Sequence, residues 1–178
     1  YLVAGEQLRF KYSQTDTITP AQPVGEIVQG VEVRQPFVAQ ADELLSLSLR
    51  ISTYGRDNSC HLQLAIVNDM DEILACTEIS GQYVIDNTIN NAIFAEPVQL
   101  KQGENYSLVI SSPDGAPGNA LTVWFGNTVT TARLEIAKQI APERQLLLNG
   151  QPLDGELHCQ MNLGTYLWYG DFYWFFAG

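Results

Sequence analysis

The alternation of apolar and polar residues between positions 45 and 53 constrains the fold more than any other feature of this chain. Every second position is apolar or Thr, and the positions between them are Ser or Arg: Leu45, Leu47, Leu49, Ile51 and Thr53 against Ser46, Ser48, Arg50 and Ser52. A period of two is typical of a β-strand that buries one face, because successive side chains point to opposite sides. The pattern therefore predicts a half-buried strand that ends at Tyr54.

Short runs of the same kind recur along the whole chain. About ten strands are predicted, and besides 45–53 the strand-like runs cover residues 7–12, 31–34, 60–67, 73–79, 92–100, 104–112, 120–126, 132–136, 145–148 and 156–161. Helical periodicity is weak throughout, and its best candidate is a short turn around residues 79–89.

Turn-forming residues separate these runs where antiparallel strands need them. Residues 68–71 predict a hairpin loop, residues 101–104 a turn, and Asn149-Gly150 a type I′ turn. Residues 111–119 form a long loop rich in Pro, Gly and Asp. The sequence thus predicts an all-β fold, a two-sheet antiparallel β-sandwich that is jelly-roll-like.

The 178 residues fit one domain with flanking segments. We expect residues 1–25 to form an N-terminal strand and loop, residues 26–161 the sandwich, and residues 162–178 an aromatic segment docked against the sandwich or a partner chain. The chain begins at Tyr1 with no leader, so we interpret it as a piece of a longer protein. No apolar run reaches the roughly 18 residues that a membrane span needs.

The charge of the chain excludes some partners. Nine Lys and Arg against 20 Asp and Glu give a net charge of −11, which repels a phosphate backbone. Nucleic acid is therefore not an expected partner. Only three lysines occur, and no basic cluster is present that would bind anionic lipid.

Three cysteines, Cys60, Cys76 and Cys159, raise the question of a disulfide. A hairpin that turns near Met70 places Cys60 opposite position 80 and Cys76 opposite position 64. In that register the two cysteines share a face but lie roughly 13 Å apart along the strands. A disulfide cannot span this distance, so we expect three free thiols.

Ligand contacts are predicted in two loops. Tyr54 falls on the polar side of its strand, and a Gly-Arg-Asp-Asn run follows it. An exposed aromatic ring, a guanidinium and amides suit stacking on a sugar and hydrogen bonding to its hydroxyls, and they predict a site of Tyr54, Arg56, Asn58, Asp114 and Asn119. The alternative is structural: Tyr54 caps the core, and Arg56 pairs with a nearby carboxylate.

Metal and catalytic sites are weaker predictions. Asp69 and Asp71, or Asp114 with Asn119, offer oxygen ligands for calcium, although turns favour such residues without any ion. His61 and His158 lie in separate runs without a known catalytic motif, so no enzyme activity is expected. Trp124 is a possible sugar-stacking platform, but a core position is expected because Trp is mostly buried in sandwiches.

The chain resembles a β-sandwich domain of bacterial proteins of cell-surface polysaccharide assembly, which is commonly attached to glycosyltransferases or multispanning membrane proteins. The resemblance depends on the Thr53-Tyr54-Gly55-Arg56 string with Asn58-Ser59, on Ser111-Ser112-Pro113-Asp114-Gly115 and on Gly118-Asn119-Ala120. Further matching residues are 35–39, 49–52, 86–87, 106–110, 121–124, 147–152 and 155–157.

This resemblance implies an envelope-associated bacterial parent protein that works on glycans. Together with the candidate loop it predicts a non-catalytic domain that binds carbohydrate or positions a glycosyltransferase catalytic domain on its glycan, without a required cofactor. A protein-interaction or scaffolding sandwich is the main alternative. A glycan hydrolase remains a third, since a catalytic carboxylate pair is defined in space rather than along the sequence.

Overall fold

The computed structural model describes residues 8–14, 22–126 and 145–167, with side chains in 22–126 and 145–164. The strands in these ranges are β1 Leu8–Gln14, β2 Gln22–Pro23, β3 Glu32–Val38, β4 Glu43–Ser52, β5 His61–Asn68, β6 Ile73–Ser80, β7 Thr88–Gln99, β8 Asn105–Ser111, β9 Thr122–Gly126, β10 Leu147–Leu148, β11 Gln151–Pro152, β12 Glu156–Leu157 and β13 Cys159–Leu167. A single 3₁₀ turn, Gly81–Tyr83, is present in the described residues. No helix in those ranges is long and apolar enough to cross a membrane.

Two antiparallel sheets pack face to face, which confirms the predicted all-β sandwich. The seven-stranded sheet has the order β1-β13-β4-β9-β12, with β2 on β9 and β7 on β4. The six-stranded sheet has the order β11-β10-β3-β8-β5-β6. Between them lies one core of fully buried aliphatic side chains, among which the largest are Ile27, Leu44, Leu47, Leu49, Ile51, Leu62, Leu64, Ile66, Leu108, Ile110, Leu121 and Leu146.

Strand β4 follows the predicted alternation except at one position. Leu47, Leu49 and Ile51 are fully buried, as expected, but Leu45 is only half-buried and Leu44 is buried in its place. Leu45 is skipped in the ladder with β7 and in the ladder with β13, which marks a β-bulge. The extra residue reverses which side chains face the core in the part of β4 that precedes it. The alternation in the sequence does not reveal this bulge.

The predicted turns lie where they were expected. Asp71 follows the end of β5 and precedes β6, Gly103 has φ +84° between Leu100 and β8, and Asn149 and Gly150 have φ +50° and +77° in a type I′ arrangement. The predicted run at 132–136 and the docking of residues 168–178 lie outside the described residues. Strand β13 continues without interruption past residue 161 and pairs with β1 up to Leu167.

The three cysteines are free, as predicted, but the predicted register was wrong by one residue. Cys76 lies opposite Ala65 rather than opposite position 64, because the ladder shifts between Ile66 and Val67. Cys60 and Cys76 consequently do not share a face, and Cys60 is buried whereas Cys76 is exposed. Burial raises the pKa of the Cys159 thiol to about 12 and also raises that of Cys60.

Native alkylation is expected to distinguish these thiols. At about pH 8, iodoacetamide should modify Cys76 well before Cys60 and Cys159, because a thiol reacts as the accessible thiolate. Mass spectrometry of peptides over a time course measures this order, with Cys76→Ser as the control. After denaturation without reductant, all three thiols should be modified, and a missing one would reveal a disulfide and contradict the structure.

Candidate functional site

The connection between β4 and β5 begins with a tight turn at Tyr54. The Arg56 amide donates to the Thr53 carbonyl at 3.3 Å, and Tyr54 and Gly55 have φ +59° and +66°. A type I′ turn requires positive φ at both central residues and favours Asn, Asp or Gly there. A tyrosine in this conformation costs roughly 1–2 kcal/mol. The residue is 43% exposed, so full burial of its side chain does not hold it there.

Arg56 forms the second part of this turn. Its guanidinium carbon lies 4.9 Å from the centroid of the Tyr54 ring, and its Nη2 donates to Glu26 Oε1 at 2.6 Å. Glu26 also accepts from the Gly118 amide at 3.3 Å. The hydrogen bond from Arg56 holds the pKa of the Glu26 carboxyl below its usual value. The guanidinium is thereby fixed against the exposed ring.

Asn58 stabilises the turn from beneath. It is 2% exposed, and its Nδ2 donates to the carbonyls of Thr53 at 3.0 Å and Arg56 at 3.3 Å. Gly81 packs against this segment so closely that a Cβ atom there would lie 2.8 Å from the Asn58 carbonyl oxygen. A buried side chain with these partners supports the shape of the turn rather than touching a ligand on the surface.

Asp114 and Asn119, from the loop after β8, attach this loop to the start of β5. Asp114 accepts from the His61 amide at 2.8 Å and lies 2.7 Å from His61 Nδ1. Asn119 Oδ1 accepts from the Ser59 amide at 2.9 Å, and its Nδ2 donates to Ser59 Oγ at 3.1 Å. These bonds satisfy backbone groups that no strand partner reaches.

The structure therefore brings all five predicted ligand residues to one end of the sandwich. We call Tyr54, Arg56, Asn58, Asp114 and Asn119 the loop cluster. Tyr54 presents an exposed ring and Arg56 a partly exposed guanidinium, while the other three are engaged within the loops. Direct contact of these residues with a ligand stays a prediction.

The His61–Asp114 pair was not predicted from the sequence. The hydrogen bond to Asp114 raises the pKa of His61, and the same bond lowers the pKa of Asp114. A carboxylate that orients an imidazole is also found in catalytic triads. Among the described side chains, however, no hydroxyl lies within hydrogen-bond distance of His61 Nε2; Ser112 Oγ donates instead to the His61 carbonyl at 2.7 Å.

Of the two calcium ligands predicted in the β5–β6 loop, Asp71 pairs with an arginine in this structure. Asp71 Oδ1 lies 2.5 Å from Arg34 Nη1, and that positive charge opposes a second cation. Asn68 Oδ1 shapes the loop by accepting from the amides of Met70 and Glu72. Within residues 22–126 and 145–164, no group of three or more His, Cys, Asp or Glu side chains could hold a metal ion. Calcium at Asp69 and Asp71 stays a prediction.

The outer face of the seven-stranded sheet carries a second polar cluster, which the sequence analysis did not identify. Trp124 is half-buried there rather than in the core, and its Nε1 donates to Ser52 Oγ at 2.9 Å. The Arg50 guanidinium carbon lies 5.7 Å from the Trp124 ring centroid. The alternation in the sequence placed Arg50 on the polar face of β4, but its proximity to Trp124 depends on the pairing of β4 with β9.

Comparisons with known proteins leave the family of this chain open. No family model matches it, and no curated protein matches it. Among solved structures, a family two carbohydrate esterase from Cellvibrio japonicus aligns with 11% identity and a TM-score of 0.32, over 66% of this chain and 32% of the esterase chain. The chain thus spans about a third of that esterase. A similarity this low supports no inference about function.

Replacing Tyr54 by Asn tests the conformation of the turn. Because Asn adopts positive φ more readily than Tyr, Tyr54→Asn should unfold at a temperature equal to or above that of the parent, with a gain of up to about 1 kcal/mol. Thermal and urea unfolding measure this change. Tyr83→Asn is the control. Tyr83 is also exposed but does not have a positive φ, so this substitution should not raise the stability. A clear loss of stability in Tyr54→Asn would show that the ring is a structural cap.

The His61–Asp114 pair predicts a pH dependence of stability. The contribution of the pair to the free energy of unfolding is fully present below the unfolded-state pKa of His, about 6.5. This contribution is lost as pH rises through the raised folded-state pKa of His61. At the acid end it is lost as pH falls through the lowered pKa of Asp114. The melting-temperature difference between the parent and Asp114→Asn should therefore be larger at about pH 5.5 than at about pH 8.5.

Calorimetric melting at several pH values measures this difference. Asp57→Asn, an exposed neighbour in the same connection, is the charge-matched control and should show no such trend. A difference between parent and Asp114→Asn that does not change with pH would mean that the charged pair contributes nothing to folding.

Proposed function

We propose that this chain is a non-catalytic carbohydrate-binding domain that serves a glycosyltransferase or another protein of bacterial polysaccharide assembly. One observation carries the proposal: Tyr54 is held in an unfavourable backbone conformation with its ring exposed and Arg56 fixed 4.9 Å from the ring centroid. Backbone strain that no burial explains is concentrated at functional sites in proteins. The setting of polysaccharide assembly comes from the sequence resemblance alone.

The chemistry of this turn suits a sugar. The apolar face of a pyranose ring stacks on an exposed aromatic ring, and a fixed guanidinium donates to hydroxyl oxygens. Asn58, Asp114 and Asn119 have a supporting role in this proposal, since their hydrogen bonds hold the turn in place. A site that is already formed before the ligand arrives loses less conformational entropy on binding.

The proposal predicts that Tyr54→Asn loses affinity without losing stability. A glycan array of bacterial surface oligosaccharides selects the ligand, and calorimetry at high oligosaccharide concentration measures the dissociation constant. Loss of one stacking ring should weaken binding about three- to tenfold. Tyr83→Asn is the matched control, because it removes another exposed tyrosine, and it should bind like the parent.

Two results would contradict this function. One is a parent protein that binds no oligosaccharide on the array or in calorimetry. The other is a Tyr54→Asn variant that binds the selected oligosaccharide as tightly as the parent does, which would place the ligand elsewhere on the domain.

A protein-interaction domain is the second candidate, and one observation favours it. Large apolar side chains are exposed on β6, on β7 and in the loops that precede these two strands, and the strands meet where Thr77 Oγ1 donates to the Ile93 carbonyl at 2.9 Å. The exposed residues are Met70, Ile73, Leu74, Ile85, Ile89 and Ile93. Large exposed apolar side chains on neighbouring segments are typical of contact surfaces. Failure of every oligosaccharide to bind would favour this candidate.

A further inference from the structure

Strands β4 and β9 separate at one point of the seven-stranded sheet, and His158 enters between them. The strands pair at Ile51 with Val123 and at Ser52 with Thr122. One residue earlier along β4, the Arg50 amide donates to the His158 carbonyl at 3.2 Å, and the His158 amide donates to the Trp124 carbonyl at 2.8 Å.

Arg50, His158 and Trp124 therefore lie side by side across the sheet, and we call these three residues the strand fork. Their neighbours Leu49, Val123 and Leu157 are buried in the core. Because side chains alternate along a strand, the fork residues belong to the outer face of the sheet.

Arg50 is fixed by neutral groups. Its Nε donates to Asn87 Oδ1 at 3.2 Å, and its guanidinium carbon lies 5.7 Å from the Trp124 ring centroid. Among the described residues it has no carboxylate partner, whereas Arg34 and Arg56 both pair with acidic side chains. Its two Nη atoms have no hydrogen-bond partner within the described part of the chain. An oriented guanidinium of this kind is suited to a carboxylate from a ligand, because its planar fork matches the two carboxylate oxygens.

Hydroxyl and amide side chains continue along the same face from the fork. Ser48 pairs with Gln160 of β13 on one side and with Asn91 of β7 on the other, and Ser48 Oγ donates to Asn91 Oδ1 at 2.7 Å. That bond leaves the Asn91 amide nitrogen available as a donor. Gln160 has no intramolecular hydrogen bond among the described side chains and is partly exposed. Such groups are suited to sugar hydroxyls.

We propose that the strand fork is a second ligand site, which binds the carboxylate of an acidic sugar such as a uronic acid. Arg50 donates its two Nη groups to the carboxylate oxygens, and the amides of Gln160 and Asn91 donate to hydroxyls of the same or the next sugar. A single carboxylate matches the planar fork of one arginine.

His158 supports this assignment. Burial, and next the charge of Arg50, hold the pKa of its imidazole below the usual value, and its Nδ1 is buried without a hydrogen-bond partner. Among the described residues, no carboxylate balances the positive charge of Arg50 beside this imidazole. A bound carboxylate would offset the Arg50 charge and raise the pKa of His158.

This second site does not depend on the proposed role of Tyr54. Tyr54 lies four positions after Arg50 and beyond the end of β4, a rise of roughly 13 Å in extended chain. Variants can therefore distinguish the two sites, and either proposal can fail alone.

Calorimetry with two trisaccharides of the same linkage tests the second site. The probes are α-1,4-linked trigalacturonate and neutral α-1,4-linked galactotriose, both at millimolar concentration. The parent should bind the acidic trisaccharide more tightly, and Arg50→Gln should weaken that binding about tenfold or more. Arg34→Gln removes the same charge from the other sheet and should retain the preference for the acid.

Arg50→Lys is a second variant that keeps the proposal testable if Arg50→Gln is destabilised. It keeps the charge but not the planar fork, so it should melt like the parent and still bind the acid more weakly. A nuclear magnetic resonance titration of the His158 imidazole provides an independent readout. Its pKa should rise when trigalacturonate is added to the parent and should not respond in Arg50→Gln.

Three results would overturn the proposal. The first is equal affinity of the parent for the acidic and the neutral trisaccharide. The second is unchanged acid binding in Arg50→Gln or Arg50→Lys. The third is loss of acid binding in Tyr54→Asn with full binding in Arg50→Gln, which would assign the acid to the loop cluster.

Discussion

Burial of the inner face of β4 is the constraint on which the rest of this structure depends. Leu44, Leu47, Leu49 and Ile51 fill the centre of the core, and β4 pairs with β13, β7 and β9 at once. Beyond the bulge at Leu45, fixing Leu47, Leu49 and Ile51 inward fixes Ser46, Ser48, Arg50 and Ser52 outward, because the period of a strand is two. Both candidate sites follow from this register: the strand fork lies on the outer face of β4, and the loop cluster begins where β4 ends.

The loop cluster shows why polar loop residues are ambiguous in sequence. Residues 53–60 lie between β4 and β5 without a strand partner, so side chains must satisfy backbone groups in this connection. Asn58, Asp86, Asp114 and Asn119 bond the backbone groups of Thr53, Ser59 and His61 at distances of 2.6 to 3.0 Å. The same residue types would serve a sugar, and only the structure shows which of their groups are already engaged. Tyr54 differs, since the turn requires a positive φ at this position but does not require an exposed tyrosine ring.

Local sequence patterns predicted the strands and turns. They did not predict the features that depend on pairing between distant strands. The alternation along β4, the Asn149-Gly150 turn and the β5–β6 hairpin were visible because they depend on neighbours in sequence. The bulge at Leu45 and the one-residue shift opposite Cys76 depend on partner strands. The strand fork was missed for the same reason, because Arg50, Trp124 and His158 are far apart in sequence.

In both proposals the segments joined to β4 form the ligand-binding surface of the domain. Backbone amide shifts of ¹⁵N-labelled protein, followed while a selected oligosaccharide is added, locate the ligand on the domain. We expect saturable shifts concentrated in residues 50–59, 87–91, 118–124 and 157–160. Saturable shifts confined to the outer face of the six-stranded sheet, or no shifts with any oligosaccharide, would contradict this expectation.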